Sequence, residues 1–496
     1  MTSEHVDVLI VGAGLSGISA ACHLQEARPQ TSFAIVESRS RIGGTWDLFT
    51  YPGVRSDSDM FTLAYSFRPW EESRAIVDGP SILEYLRETA RERGVEEKIR
   101  FDHRVVRAEW STPEARWTVE VQRGDTGETL RFTCGFLFAC TGYYRYDEGY
   151  SPAFPGVERF AGRVVHPQFW SEDVDYAGKR VVVIGSGATA VTMVPALAER
   201  AAHVTMLQRS PSYILSLPTE DPLAGRLRRV LPARLVHPVI RWKNVLVTTL
   251  IYQLSRRAPD LMKGLIRKGA IRRLPAGYDV DTHFGPLYNP WDQRLCLVPD
   301  GDLFKAIAAG RVSVVTDRIA TFTESGLRLA SGAELEADVV VTATGLNMLA
   351  LGGIRLVVDG REIVVAETLT YKGLMLTGVP NLAMAMGYTN ASWTLKAELI
   401  CRYVCRLLDH MDANGYVQCT PRAPDGPVAT APLLDLTSNY VLRAAAAFPK
   451  QGPEAPWRVH QNYLRDVRTL RFGPVDDGME FSTGRRDVAA PEPLAA

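Results

Sequence analysis

The chain has no excess of charge of either sign: 56 Lys and Arg balance 56 Asp and Glu over 496 residues, a formal net charge of +0. A nucleic-acid binder carries a basic footprint, so no nucleic-acid partner is expected. Cysteine is sparse, seven in all, and no pair has C-x-x-C or zinc-ligand spacing. Cys134 and Cys140 stand further apart than that, and Cys401 and Cys405 sit one helical turn apart. This argues against a disulfide framework, a metal site or a dithiol redox centre, and predicts small buried thiols in a reduced, cytoplasmic protein. No apolar run reaches the roughly 18 residues that a spanning helix needs. Nor does a basic segment, long apolar stretch and small-residue cleavage site open the chain, so no secretory leader is expected. Disorder is excluded by the composition, with 46% hydrophobic and 23% charged residues. The length predicts two or three domains.

What is present is organised around glycine turns. Val8-Leu9-Ile10-Val11 reads as a short buried strand feeding Gly12-Ala13-Gly14-Leu15-Ser16-Gly17, and a helical pattern follows, with Ile18, Ala21, Cys22 and Leu24 on one face. A second strand, Phe33-Ala34-Ile35-Val36, ends in Glu37, twenty residues beyond Gly17. In a dinucleotide-binding unit Gly12 permits the tight turn, Gly14 lets backbone approach a pyrophosphate, Gly17 lets helix pack on strand, and Glu37 takes the ribose hydroxyls. Glycine-rich turns are common. The strand before, the helix after and the acid at this distance make the pattern specific.

The arrangement recurs. Arg180-Val181-Val182-Val183-Ile184 leads into Gly185-Ser186-Gly187-Ala188-Thr189-Ala190, then a helix with Val191, Val194 and Leu197. Its second strand, Val204-Thr205-Met206-Leu207, ends in Gln208-Arg209-Ser210 rather than in an acid. An acid there would select NAD, whereas an arginine accommodates a 2′-phosphate and selects NADP. Arg209 can also be read as a solvated loop charge.

Gly43-Gly44-Thr45-Trp46 follows the first acid closely. In this the first unit resembles FAD-binding flavoprotein oxidoreductases, which implies FAD held by Gly12, Gly14, Gly17, Glu37, Gly44, Thr45, Trp46 and Asp57. NADPH, on Gly185, Gly187, Thr189, Ala190, Arg209 and Ser210, is then the reductant. The fold class follows: α/β, with two Rossmann-like dinucleotide-binding domains and the NADPH domain inserted in the FAD domain. The chain leaves the first unit near Phe136-Leu137-Phe138-Ala139-Cys140-Thr141-Gly142 and returns at Asp338-Val339-Val340-Val341-Thr342-Ala343-Thr344-Gly345. The expected parts are 1–145 and 346–485 for FAD, 146–345 for NADPH, and a flexible tail at 486–496. A last strand beginning at Val379-Pro380-Asn381-Leu382 is expected, with a helix carrying Leu395, Leu399, Tyr403 and Leu407 packed on it.

Within the insertion, 221–275 is helical and basic, with thirteen Lys or Arg against two acids, interleaved with Trp242, Tyr252 and aliphatic residues. It reads as a helical excursion capping the active site with its charges solvated, or as a weak membrane-surface element, since cationic amphipathic helices with a Trp bind anionic interfaces.

Between the two turns stands Phe160-Ala161-Gly162-Arg163-Val164-Val165-His166-Pro167-Gln168-Phe169-Trp170. This FxGxxxHxxxW pattern resembles the fingerprint of Baeyer–Villiger monooxygenases, a branch of the class B flavoprotein monooxygenases. The likeness extends over essentially the whole chain and is closest to the ethionamide-activating group. Gly43-Gly44-Thr45-Trp46-Asp47-Leu48-Phe49, Arg55-Ser56-Asp57-Ser58-Asp59-Met60 and the run from Asn289 to Pro299 carry it. Ser171 stands where relatives have Pro or Asp, and Gln293 where many have a phosphate-gripping Lys, which shifts that load to Arg209. Trp170 favours the Baeyer–Villiger branch over N- and S-oxygenating relatives, which have Tyr or Phe there. His166 is expected to couple domains rather than to do chemistry.

The resemblance implies a reaction in which NADPH reduces the flavin, O2 forms a peroxide on it, and one oxygen enters a small-molecule ketone to give an ester or lactone. Sulfide or amine oxygenation is the alternative. Arg294 matches the family's catalytic arginine, and Asp57 the acid that holds and tunes it. Both also read as members of an ordinary ion pair. Trp393 is expected either to line the substrate pocket or to be a core aromatic. A plain NADPH:acceptor oxidoreductase and a non-enzymatic interaction protein are the remaining classes, and the intact motifs weigh against both. Composition and motifs leave the oligomeric state open.

Overall fold

The computed structural model describes residues 3–426 and 428–483. The tail expected at 486–496 lies outside the described residues. Two sheets organise the chain, and each is built on one of the apolar strands that precede a glycine turn. In the first, Ser3–Val11 runs parallel to Phe33–Val36 on one side and to Glu128–Ala139 on the other. Val8 pairs with Phe33 and with Phe136, so the strand is hydrogen-bonded along both edges and its residues Val8 to Ile10 are fully buried. Buried on both faces, such a strand reads as a continuous apolar run. The chain between the second strand and the connection adds an antiparallel meander of His103–Ser111, Arg116–Arg123 and Glu128–Ala139. Ile99–Arg100 beside Phe33–Val36 and three later strands complete this nine-stranded sheet: Arg355–Val358 joins the meander, Arg361–Glu362 pairs with Arg355–Val358, and Leu382–Met384 pairs with Glu128–Ala139.

The second sheet has five parallel strands in the order Val312–Thr316, His203–Gln208, Arg180–Ile184, Val339–Thr342 and Arg163–Val165. All of it comes from chain between the end of one first-sheet strand at Ala139 and the start of another at Arg355. The two passages between the sheets, Tyr144–Gly149 and Leu346–Met348, pair with each other antiparallel, Leu346 opposite Gly149 and Met348 opposite Tyr144. Both follow a Thr-Gly turn with positive φ at the glycine, +66° at Gly142 and +116° at Gly345.

The helix expected around Leu395 spans Trp393–Ala413; its buried Leu399, Tyr403 and Leu407 pack beside helix Leu15–Ala27 in the core of the first sheet, while Leu395 packs with Val245 and Tyr388. The basic excursion is helical at Pro222–Leu227, Ala233–Arg257 and Pro259–Ile271. The Asp221 carboxylate accepts from the Leu223 and Ala224 backbone at 3.0 and 3.1 Å, capping the first of these, and Pro259 opens the last. All seven cysteines are buried free thiols.

Candidate functional site

The first glycine turn shows three different needs. Gly12 has φ +104°, and a side chain there would place its Cβ 2.7 Å from the Cys140 carbonyl oxygen. Gly17 is tighter still: a Cβ would sit 1.8 Å from the Gly12 oxygen, so its role is packing of helix on turn. Gly14 differs. Its extended backbone is open to any residue, and a Cβ would make only ordinary contact, 3.6 Å from the Gly44 Cα. Its bareness is therefore not required by the protein itself. Gly14 and Gly44 face each other across the mouth of a cavity of about 530 Å³, which Gly12, Thr45 and Trp46 also line. Thr45 Oγ1 lies 3.1 Å from the Tyr146 hydroxyl, and the Gly44 turn is braced by buried Asp47, which pairs with Arg39 at 2.5 Å and Arg41 at 3.1 Å.

Glu37 ends the second strand inside the same cavity. One carboxylate oxygen accepts from the Ala13 backbone at 2.6 Å and the other from Arg39 at 2.9 Å, which ties the acid to the glycine turn. Burial pushes its carboxyl up from the ordinary range, against the pull of those two N–H donors. His103, Arg104 and Val105 of the meander close the cavity beyond it.

The second turn repeats the first. Gly185 has φ +134° and a Cβ there would meet the Ala343 oxygen at 2.3 Å, as at Gly12. Gly187 opens helix Ala188–Leu197, as Gly14 opens Leu15–Ala27, and nothing lies within 4 Å of where its Cβ would be. Thr189 reaches the large cavity. The side chain of Ala190 does not: it is buried in the core of the second sheet, where Gly17 stands in the first unit. Gly185, Gly187, Arg209 and Ser210 lie outside that cavity's lining, with Arg209 and Ser210 exposed just past strand His203–Gln208. Ser186 donates to the Ser210 carbonyl at 2.9 Å, joining this turn to the Arg209 loop.

Arg294 and Asp57 come together although 237 positions separate them: Arg294 Nε is 2.8 Å from Asp57 Oδ2, and both side chains line the cavity. Asp57 holds the Arg294 proton well above the ordinary range. Tyr143, Tyr144 and Tyr440 lie close enough to interact with this charge, and burial pushes the Tyr144 and Tyr440 hydroxyls up, so they stay protonated. Arg55 also lines the cavity; one amino group pairs with Asp302 at 2.5 Å and the other, Nη2, is buried without a partner among the described residues. Trp393 lines it too, its indole donating to the Ser16 hydroxyl at 2.8 Å and its ring 5.1 Å from that of Tyr143.

Sequence reasoning missed the tyrosines. Tyr143 and Tyr144 directly follow the Thr-Gly turn where the chain leaves the first sheet, which is a usable signal, whereas nothing local marks Tyr440. One expectation is corrected: no residue of 221–275 lines the cavity. The excursion spans the two sheets instead. Arg241 donates to the Ala64 carbonyl at 2.7 Å and pairs with Glu398 at 2.6 Å on the first, while Ala270 and Leu274 join the core of the second.

The fingerprint segment lies at the crossing between the sheets. His166 Nε2 is 3.3 Å from the Gly345 carbonyl oxygen, its ring fills the space a Gly149 side chain would need, and Gln168 donates to the Arg145 and Tyr146 carbonyls at 3.0 and 2.9 Å. It grips both passages, and none of its residues lines the cavity.

Residues 5–350 match the model of the flavin-binding monooxygenase-like family. The chain is 54% identical over 490 residues to the FAD-containing monooxygenase EthA of Mycolicibacterium smegmatis, covering 98% of this chain and 99% of that one. It is 55% identical over 482 residues to EthA of Mycobacterium tuberculosis, covering 97% and 98%. Among solved structures, an oxidized steroid monooxygenase bound to NADP superimposes with a TM-score of 0.77 at 24% identity, covering 97% of this chain and all of that one, a likeness of fold.

Proposed function

The chain belongs to the flavin-binding monooxygenase-like family, and we propose that it is an NADPH- and O2-dependent Baeyer–Villiger monooxygenase that inserts one oxygen beside a ketone carbonyl. The observation that carries this reading is the Arg294–Asp57 pair turned into the same cavity as the facing glycines Gly14 and Gly44.

The residues fit a flavin dinucleotide. Gly14 and Gly44 leave bare backbone where a side chain would intrude, helix Leu15–Ala27 directs its free N–H groups there, and Glu37, lining the same cavity, would take the ribose hydroxyls. Gly12 and Gly17 shape the turn, and Thr45 and Trp46 line the wall. Bound there, FAD supplies the oxygen-activating chemistry, with hydride from NADPH. Gly185, Gly187, Thr189 and Ala190 would form the NADPH turn, and Arg209 with Ser210 would receive its 2′-phosphate. Residues 1–145 with 346–485 then serve FAD and 146–345 serve NADPH.

The chain's own contribution is electrostatic. A carbonyl carbon that becomes tetrahedral leaves negative charge on its oxygen, and a cation already held in place stabilises that charge without reorganising. Arginine suits the task because it stays charged in any protein environment and donates in a fixed fork. Asp57 fixes the fork through Nε and leaves the amino groups to the substrate. Tyr143 and Trp393 wall the same region against water.

One observation favours a second reading, oxygenation of sulfur or nitrogen. The Tyr144 and Tyr440 hydroxyls, kept protonated near Arg294, offer neutral hydrogen-bond donors of the kind that would favour that reaction. The test is product analysis with the holoenzyme, NADPH and isotopically labelled O2, on an unhindered ketone and on an aryl methyl sulfide. An ester carrying one labelled oxygen supports the first reading. Sulfoxide with no ester from any ketone promotes the second, and NADPH consumption yielding hydrogen peroxide alone overturns both.

A further inference from the structure

Helix Ala233–Arg257 has two apolar faces where folding needs one. Val236 and Ile240 pack against Phe61 and Ala75, Val245 packs with Tyr388 and Leu395, and Arg241 is buried against Glu398. On the opposite side stand Leu235, Val239, Trp242, Leu246 and Leu250, each between 44% and 68% exposed. Their spacing of four, three, four and four residues keeps them in one row along about 22 Å of helix. The concentration is local: twelve of the twenty-one exposed large apolar side chains among the described residues fall between Leu223 and Ile271. Scattered apolar exposure is ordinary, but a contiguous row of this kind marks an interaction surface.

We propose that this row docks the protein on an anionic lipid surface. The charge around it selects that occupant. The chain as a whole is neutral, yet 221–275 holds thirteen Lys or Arg and two acids, and both acids are already engaged, Asp221 by Lys243 and Asp260 by Lys263. Arg234 and Arg257 are exposed at the two ends of the row, with no ion-pair partner among the described residues, and no acid lies within it. A second copy of this chain would set the same cationic face against itself in a two-fold contact, which like charges oppose. An anionic headgroup layer meets the arginines, and its acyl boundary takes the leucines and the indole. Docking is peripheral, since among the described residues no helix is long and apolar enough to cross a membrane. The same helix reaches the candidate site's surroundings through Tyr252, whose ring lies 5.6 Å from that of Trp291, three residues before Arg294. The proposal does not depend on which oxygenation the site performs.

The test is flotation of the FAD-loaded protein with vesicles of phosphatidylcholine, alone or with one third phosphatidylglycerol, at low and high salt. Flotation with the anionic vesicles that weakens at high salt is expected. The double variant Leu246→Glu/Leu250→Glu should lower it by about tenfold or more, since each substitution withdraws an exposed leucine from the acyl boundary, with flavin absorbance and unfolding temperature unchanged. Arg234→Glu with Arg257→Glu should remove the preference for anionic vesicles. The proposal is overturned by a protein that stays unbound to anionic vesicles at low salt, or by a double leucine variant that floats like the parent. Light scattering that shows a parental dimer broken by that variant, without flotation, assigns the row to self-association and overturns it as well.

Discussion

Arg294 Nε meets Asp57 Oδ2 at 2.8 Å inside the cavity that Gly14 and Gly44 also face. The pair links the run after Asn289 to the loop before helix Met60–Leu63, and its carboxylate holds one edge of the guanidinium while the other stays open. Arg294→Ala removes the fixed cation and should cut ester formation about 100- to 1000-fold, the cost of deleting one preorganised oxyanion donor. FAD content and NADPH oxidation should persist, with hydrogen peroxide replacing ester in gas-chromatographic product assays. Asp57→Asn keeps the shape and removes the charge, and should cost about 10- to 100-fold through the lost charge-assisted bond. Parental ester yield in either variant would remove that residue from the mechanism.

Gly14 and Gly17 belong to one motif but should fail in opposite ways. Gly17→Ala drives a methyl to 1.8 Å from the Gly12 oxygen, a backbone atom that cannot move aside, so the variant should not accumulate as folded protein. Gly14→Ala has room and an unstrained backbone, so it should fold, with far-ultraviolet dichroism like the parent's, yet purify without bound flavin. Flavin absorbance per protein reads the difference. Full flavin content in folded Gly14→Ala would show that the pyrophosphate does not approach there.

Both sheets were legible because their central strands are bracketed by signals in adjacent residues: an apolar run, a glycine turn and, at Glu37, an acid at fixed distance. The helix at Trp393–Ala413 was legible for a similar reason, through its four-residue apolar period. The meander of His103–Arg123 was not anticipated, since its strands carry Arg, Glu and Gln on an exposed face and lack any motif. At the site, Arg294 and Asp57 were reached through resemblance alone; no local pattern ties residues so distant in the chain. Tyr440 was missed for the same reason. The excursion was read correctly as basic and helical, but its position was not, because which face of Ala233–Arg257 is buried depends on Phe61, Tyr388 and Glu398, contributed from elsewhere.

Arg209 is exposed directly after strand His203–Gln208, beside the loop that Ser186 tethers through Ser210. On the proposed reading, with Gln293 in place of a lysine, Arg209 would take the 2′-phosphate. Arg209→Ala should raise the KM for NADPH by about 10- to 100-fold, the worth of a charged hydrogen-bonded contact, and leave the KM for NADH unchanged. Steady-state oxidation of the two nucleotides checks this. An equal effect on both would make Arg209 a structural residue of the loop.

His237 gives the fold a pH dependence that does not involve the site. It is 3% exposed on the buried side of helix Ala233–Arg257, its ring centroid 6.1 Å from that of Phe61, and its Nε2 has no hydrogen-bond partner among the described residues. Burial, helped by the Arg241 charge, pushes its pKa down to about 4. The unfolded chain therefore takes up a proton near pH 6.5 that the folded chain refuses until about pH 4, so stability falls as pH drops through that window. The loss attributable to His237 should be about 2 kcal/mol between pH 7 and pH 5. His237→Leu withdraws the titrating ring and should lessen the decline in unfolding temperature over that interval. A decline as steep as the parent's would place the acid sensitivity elsewhere and show that the buried ring is protonated at its ordinary pKa.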